Sequence, residues 1–84
     1  MYAMNRQLKS LNLFIDMLEK GHRIEFEIGE QKYLSYRNEN SFMLNNIKKK
    51  QEFIFESMIE LIESEVIGVP ICKCWKRIKV ISMY

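Results

Sequence analysis

The chain has 84 residues, of which 48% are hydrophobic and 29% are charged. A chain of this length buries roughly 60 to 65% of its unfolded surface, which supports one hydrophobic core rather than two. We therefore expect a single domain over residues 1–84. The apolar content excludes an intrinsically disordered chain, and the formal net charge of +2 excludes an acidic mimic of DNA.

Two features of the sequence bear on where the protein works. No window holds 18 consecutive apolar residues, and the N-terminal segment lacks the basic start, apolar stretch and cleavage site of a secretory signal. The only cysteines, Cys72 and Cys74, are too close in sequence for an unstrained bridge, so reduced thiols are expected. These features predict a cytoplasmic protein without a membrane span.

The first predicted element is a helix near the N-terminus. Its apolar residues recur at alternating intervals of four and three, which places them on one stripe of a helix. The stripe consists of Met4, Leu8, Leu11, Ile15 and Leu18. Gly21 is expected to end the helix in the left-handed conformation. Leu13 and Met17 lie off the stripe, so we expect cover on a second side, from the same chain or from a second copy.

An antiparallel sheet is predicted after Gly21, because the apolar period changes to two at Ile24. Gly29-Glu30 suits a hairpin turn, and a second strand over Lys32–Arg37 follows it. A turn over residues 38–40 then leads into a third strand, which begins with Ser41–Leu44.

Residues 45–65 admit two interpretations. Apolar residues spaced along this segment, from Ile47 to Ile62, fit one long helix. We favour a hairpin with Lys48–Lys50 at its tip and a fourth strand that turns Phe53 and Phe55 to the core. A capping box of Ser57 and Glu60 would then open a short helix through Ile62.

Gly68 and Pro70 interrupt the preceding pattern and predict a further short helix with proline at its first position. Its apolar face would consist of Ile71, Trp75 and Ile78. Residues 79–84 are predicted to form a last short strand with Val80 inward. The sequence thus predicts an α+β domain in which an N-terminal helix packs on a small antiparallel meander, followed by short C-terminal helices and a final strand.

No constellation of residues predicts catalysis or metal binding. Cys72, Cys74 and the only histidine, His22, supply at most three of the four ligands of a zinc site. Glu25 and Glu27 alternate with apolar residues, as the polar face of a half-buried strand does. We therefore predict a protein that is not an enzyme and holds no cofactor.

Two basic clusters make nucleic acid an alternative partner. The first cluster is Lys48, Lys49 and Lys50, and the second is Lys73, Lys76 and Arg77, extended by Lys79. Tyr33, Tyr36 and Arg37 on a neighbouring strand would add stacking and phosphate contacts. Glutamates between Glu52 and Glu65 reduce the net positive potential around these lysines and arginines. This favours the interpretation that the basic clusters are an ordinary solvated face.

The apolar residues exceed what one small core needs, which favours an interface with a protein partner. Methionines that fill gaps in the core are an equal alternative explanation. The hairpin from Ile24 to Tyr36 and the face around Trp75 are the predicted contact regions. The candidate partner-binding residues are Tyr33, Tyr36, Arg37 and Trp75.

Several segments, taken in order, carry a resemblance: LEKG, IEFEIGEQKYLSY, FESMIELIES, IGVPI and CWKRIKVISMY. The series resembles small uncharacterised proteins of phages and mobile elements in Gram-positive bacteria. The likeness covers most of the chain and is irregular from Asn38 to Gln51. It implies a non-enzymatic accessory protein that binds and inhibits or modulates a host protein complex, for example a CRISPR-type defence system.

Overall fold

Six strands and three short α-helices follow one another in this computed structural model, which describes residues 2–84, with side chains from Arg6 onward. The elements are β1 (Tyr2–Gln7), α1 (Leu11–Glu19), β2 (Ile24–Ile28), β3 (Gln31–Asn38), β4 (Ser41–Asn46), β5 (Gln51–Phe55), α2 (Met58–Glu63), α3 (Ile71–Cys74), a 3₁₀ turn (Trp75–Arg77) and β6 (Lys79–Met83). The predicted α+β class and the antiparallel sheet are confirmed.

All six strands belong to one antiparallel sheet with the order β1-β6-β2-β3-β4-β5. Strands β2 to β5 form the predicted meander of hairpins. The final strand does not extend the meander but lies between β1 and β2, with a register shift around Ile81 in both pairings. Within the described residues, β1 and β5 are therefore the two edges of the sheet.

The N-terminal segment departs from the prediction. Residues 2–7 form β1 instead of the first turns of a helix, and α1 begins only at Leu11. Met4 and Leu8 lie outside the helix, so the predicted helical stripe was wrong over its first half. The reason is long-range, because the β1 backbone pairs with β6 and such tertiary pairing overrides local periodicity.

Local signals define both ends of α1. The extended backbone of Ser10 precedes the helix, and its Oγ accepts a hydrogen bond from the Leu13 N–H at 3.0 Å, as an N-cap does. The helix ends at Glu19 with Lys20 as its C-cap, and Gly21 follows with φ of +94°, the left-handed conformation predicted for it. Leu13 and Met17 pack against the core of the same chain.

The hairpin interpretation of residues 45–65 is confirmed. Residues 47–50 form the turn between β4 and β5, and α2 follows at Met58. Ser57 Oγ accepts a hydrogen bond from the Glu60 N–H at 3.2 Å, and the Glu60 carboxylate accepts one from the Glu56 N–H at 3.0 Å. The capping box therefore exists, with its second hydrogen bond displaced by one residue.

One face of the sheet shares a hydrophobic core with all three helices. The helices contribute Phe14 and Leu18 from α1, Leu61 from α2 and Ile71 from α3. The strands contribute Ile24, Phe26, Tyr33, Leu44, Val80 and Met83. The Phe26 ring stands edge-on to Phe14, with 5.6 Å between centroids, and stacks on Tyr33 at 5.4 Å. The opposite face of the sheet is covered by none of the helices in residues 6–84.

Candidate binding surfaces

We call the sheet face opposite the helices the open face. Residues that pair directly across strands lie on the same face, so the register shows which side chains are neighbours there. Tyr36 pairs with Met43, and Met43 pairs with Ile54, which makes a continuous apolar row across β3, β4 and β5. Leu34 lies beside this row on β3. We call these four residues the apolar patch; Ile54 is its most exposed member, at 67%.

Charged side chains border the apolar patch. The Arg23 guanidinium lies over the Tyr36 ring, 4.5 Å from its centroid, where a cation–π contact holds the ring in place. Glu25 on β2 pairs with Leu34, and its carboxylate accepts a hydrogen bond from Ser82 Oγ at 3.3 Å. The patch is thus an apolar centre with a polar rim, the layout typical of protein interfaces.

Asn45 places an unpaired acceptor beside the apolar patch. On β4 it lies between Leu34 of β3 and Glu52 of β5. Its Oδ1 is buried and accepts no hydrogen bond within the described part of the chain. The three residues line a depression of about 270 Å³ that also reaches Lys50. A buried acceptor without a partner costs about 1–3 kcal/mol, which a donor from a bound molecule would partly recover.

The structure brings part of the two basic clusters to one end of the sheet. Asn46, Tyr33, Phe26 and Val80 pair in a line across four strands near this end. The turn after Asn46 carries the exposed residues Lys48, Lys49 and Lys50, and the segment before Val80 carries the exposed residues Lys76, Arg77 and Lys79. Three strand spacings, roughly 14 Å, separate β4 from β6.

Lys73 does not join this basic end. It lies on α3 and lines a depression together with Glu63 and Glu65. Lys9, which the sequence did not single out, lies at the basic end, because Leu8 N–H donates to the Ile78 carbonyl just before β6 at 2.9 Å. The long-range pairing of β1 with β6 places Lys9 there, and no local pattern signals it.

The predicted partner-binding residues do not form one surface. Residues three apart in a strand point to opposite faces, so Tyr36 lies on the open face while Tyr33 is in the core and only 4% exposed. Arg37 lies toward the other end of the sheet and donates to the carbonyls of Glu19 and Glu39 at 2.8 and 2.9 Å. Trp75 is half-buried in the 3₁₀ turn.

The remaining reactive side chains lie apart from one another. Burial raises the pKa of the Cys74 thiol, which donates to the Val69 carbonyl at 3.6 Å. Within the described residues, no three His, Cys, Asp or Glu side chains are placed to hold a metal ion. None of the helices between residues 2 and 84 has both the length and the apolar character needed to cross a membrane.

Because comparisons with known proteins found no match, the open face and the basic end are the features from which a function can be proposed. No protein-family model, curated protein or solved structure matches the chain.

Proposed function

We propose that the protein is a non-enzymatic accessory protein of the host cytoplasm that binds a host protein complex and inhibits or modulates it. The observation that supports this proposal is the open face, where an apolar patch with a charged rim adjoins the unpaired Asn45 Oδ1. The resemblance to phage and mobile-element proteins favours a defence complex, such as a CRISPR-type system, as the target.

The chemistry of the open face defines the partner. The apolar patch requires an apolar counterpart, because hydrophobic burial supplies most of the free energy of protein association. Asn45 Oδ1 requires an N–H or O–H donor at the edge of that counterpart. Tyr36, which is half-buried, belongs to a residue type that is enriched at the centres of interfaces, whereas its neighbour Met43 is only 7% exposed. A protein surface meets both requirements.

Affinity capture from a host lysate, washed with and without nuclease and followed by mass spectrometry, tests the proposal. We expect a protein partner that resists nuclease. Ile54→Ala should weaken its capture about tenfold, as loss of a buried contact of about 1.4 kcal/mol does. Ile59→Ala is the matched control, since Ile59 is 63% exposed on α2, away from the open face. Equal capture by the two variants would contradict the role of the open face.

Nucleic-acid binding at the basic end is the second candidate, supported by the position of the β4–β5 turn at the same end of the sheet as the start of β6. Phosphates attract such a surface and release counterions on binding, so the affinity should fall steeply with salt. Fluorescence anisotropy of a labelled single-stranded oligonucleotide across a salt series measures this. Lys49→Glu should reduce the salt slope, whereas Lys73→Glu, outside the basic end, should leave it nearly unchanged. Salt-independent binding would exclude this candidate.

A further inference from the structure

The outer edge of β5 has few of the features that normally protect an edge strand. Proteins prevent edge-to-edge pairing with charged side chains, especially lysine, and with proline, bulges or very short strands. Strand Gln51–Phe55 contains one charged residue, Glu52, and no lysine, arginine or proline, and it pairs with β4 in regular register without a bulge. The other edge is different, because β1 has a register shift against β6. Among the described strands, β5 is the regular and less protected edge.

Side chains add apolar area to this edge. Ile54 is 67% exposed on the open face, and Phe53 and Phe55 are half-buried on the face that carries the helices. A strand that pairs with β5 would cover part of all three side chains and would satisfy the outward N–H and C=O groups of the edge.

The charges that flank β5 are complementary to those of a second copy. Lysines precede the strand and Glu56 follows it, so an antiparallel copy brings each basic flank to the acidic flank of its partner. If the two-fold axis passes through Phe53, the turn that carries Lys50 lies beside Glu56 of the second copy, each residue being one position beyond an end of the strand. If the axis passes through Ile54, Glu52 lies opposite that Glu56 and the like charges repel. Of these two registers, charge therefore favours the one centred on Phe53.

We propose that two copies of this chain pair through their β5 strands, antiparallel and with the two-fold axis at Phe53. Directly opposite residues share a face, so both sets of helices lie on one side of the joined sheet and both open faces lie on the other. The dimer presents the apolar patch twice on one continuous surface. This pairing involves the protein alone and does not depend on the proposed host partner.

Disulfide trapping tests the register directly. On the two-fold axis a residue faces its own copy, and the opposed Cβ atoms of a non-hydrogen-bonded pair approach to about 4.5 Å, the upper end of the range that a disulfide spans. In a Cys72→Ser background, Phe53→Cys should form a covalent dimer under mild oxidation, as seen on a non-reducing gel. Phe55→Cys is the matched control, because it loses the same ring from the same strand but faces Gln51 of the second copy. Equal cross-linking of both variants, or of neither, would overturn the proposed register.

Charge reversal tests the same pairing without oxidation or loss of a ring. Sedimentation equilibrium should show a concentration-dependent dimer for the wild-type chain. Lys50→Glu and Glu56→Lys should each weaken it roughly tenfold, and the double reversal should restore it, because two symmetric pairs change together. Lys73→Glu serves as the control and should leave dimerisation unchanged. A chain that stays monomeric at all concentrations, or a dimer insensitive to both single reversals, would refute the proposal.

Discussion

The environment of Tyr33 makes the stability of the protein depend on alkaline pH. Burial raises the pKa of its phenol above the ordinary value of 10.0. Above about pH 10 the unfolded chain releases this proton while the folded protein retains it, so the free energy of unfolding falls as pH rises. Urea denaturation from neutral to alkaline pH should show this loss relative to Tyr33→Phe, which has no phenol to ionise. If the free energy of unfolding fell equally with pH in the wild type and in Tyr33→Phe, the raised pKa of Tyr33 would not be the cause.

Individual residues also show what the sequence can predict of the binding surface. Tyr36 was a predicted partner-binding residue, and it lies on the open face, where it pairs with Met43. Tyr33 was grouped with it, although period-two geometry already separates the two faces. Asn45 gives no sequence signal at all. Its position in the depression depends on Leu34 and Glu52, which flank it only after the strands have paired.

At the scale of single elements, α2 depends on its N-cap. Ser57 Oγ is the acceptor for the Glu60 N–H, one of the donors that a helix start leaves without an internal partner. Ser57→Ala should lower the free energy of unfolding by about 1 kcal/mol, whereas Ser57→Asp keeps an acceptor and should retain most of the stability. Urea denaturation measures both. Equal losses in the two variants would show that the cap hydrogen bond is not the cause.

The sequence predicted well those elements whose structure is determined by residues close together in the chain. The meander from β2 to β5 follows from alternating residues and turn signals such as Gly29, which has a φ of +62° in the β2–β3 turn. The prediction for the N-terminal segment was wrong because a helical spacing of apolar residues continues, by coincidence, across Ser10, the N-cap after which the helix actually begins. A serine before an apolar run is an N-cap signal, and weighing it would have moved the helix start to the right place. The strand identity of residues 2–7 depends on β6, far along the chain.

At the scale of the whole molecule, Phe26 joins α1 to the middle of the sheet. Its buried ring contacts both Phe14 and Tyr33. Phe26→Ala should cost about 3–5 kcal/mol, because it removes a large apolar group and leaves a cavity. A domain of this size has only about 4–13 kcal/mol of stability in total, so the variant should lie close to unfolding at ambient temperature. Urea denaturation with Ile59→Ala as the control, expected within about 0.5 kcal/mol of wild type, measures the effect.

The position of β6 between β1 and β2 constrains how the protein is made. Of the six strands, β6 leaves the ribosome last, yet it pairs with both of those earlier strands. The β2–β5 hairpins can form as they emerge, because their contacts are local. Until β6 emerges, β1 has no neighbour and the β2 edge is open to pairing with other nascent chains. The domain therefore closes in one late step, when β6 fills the gap between β1 and β2.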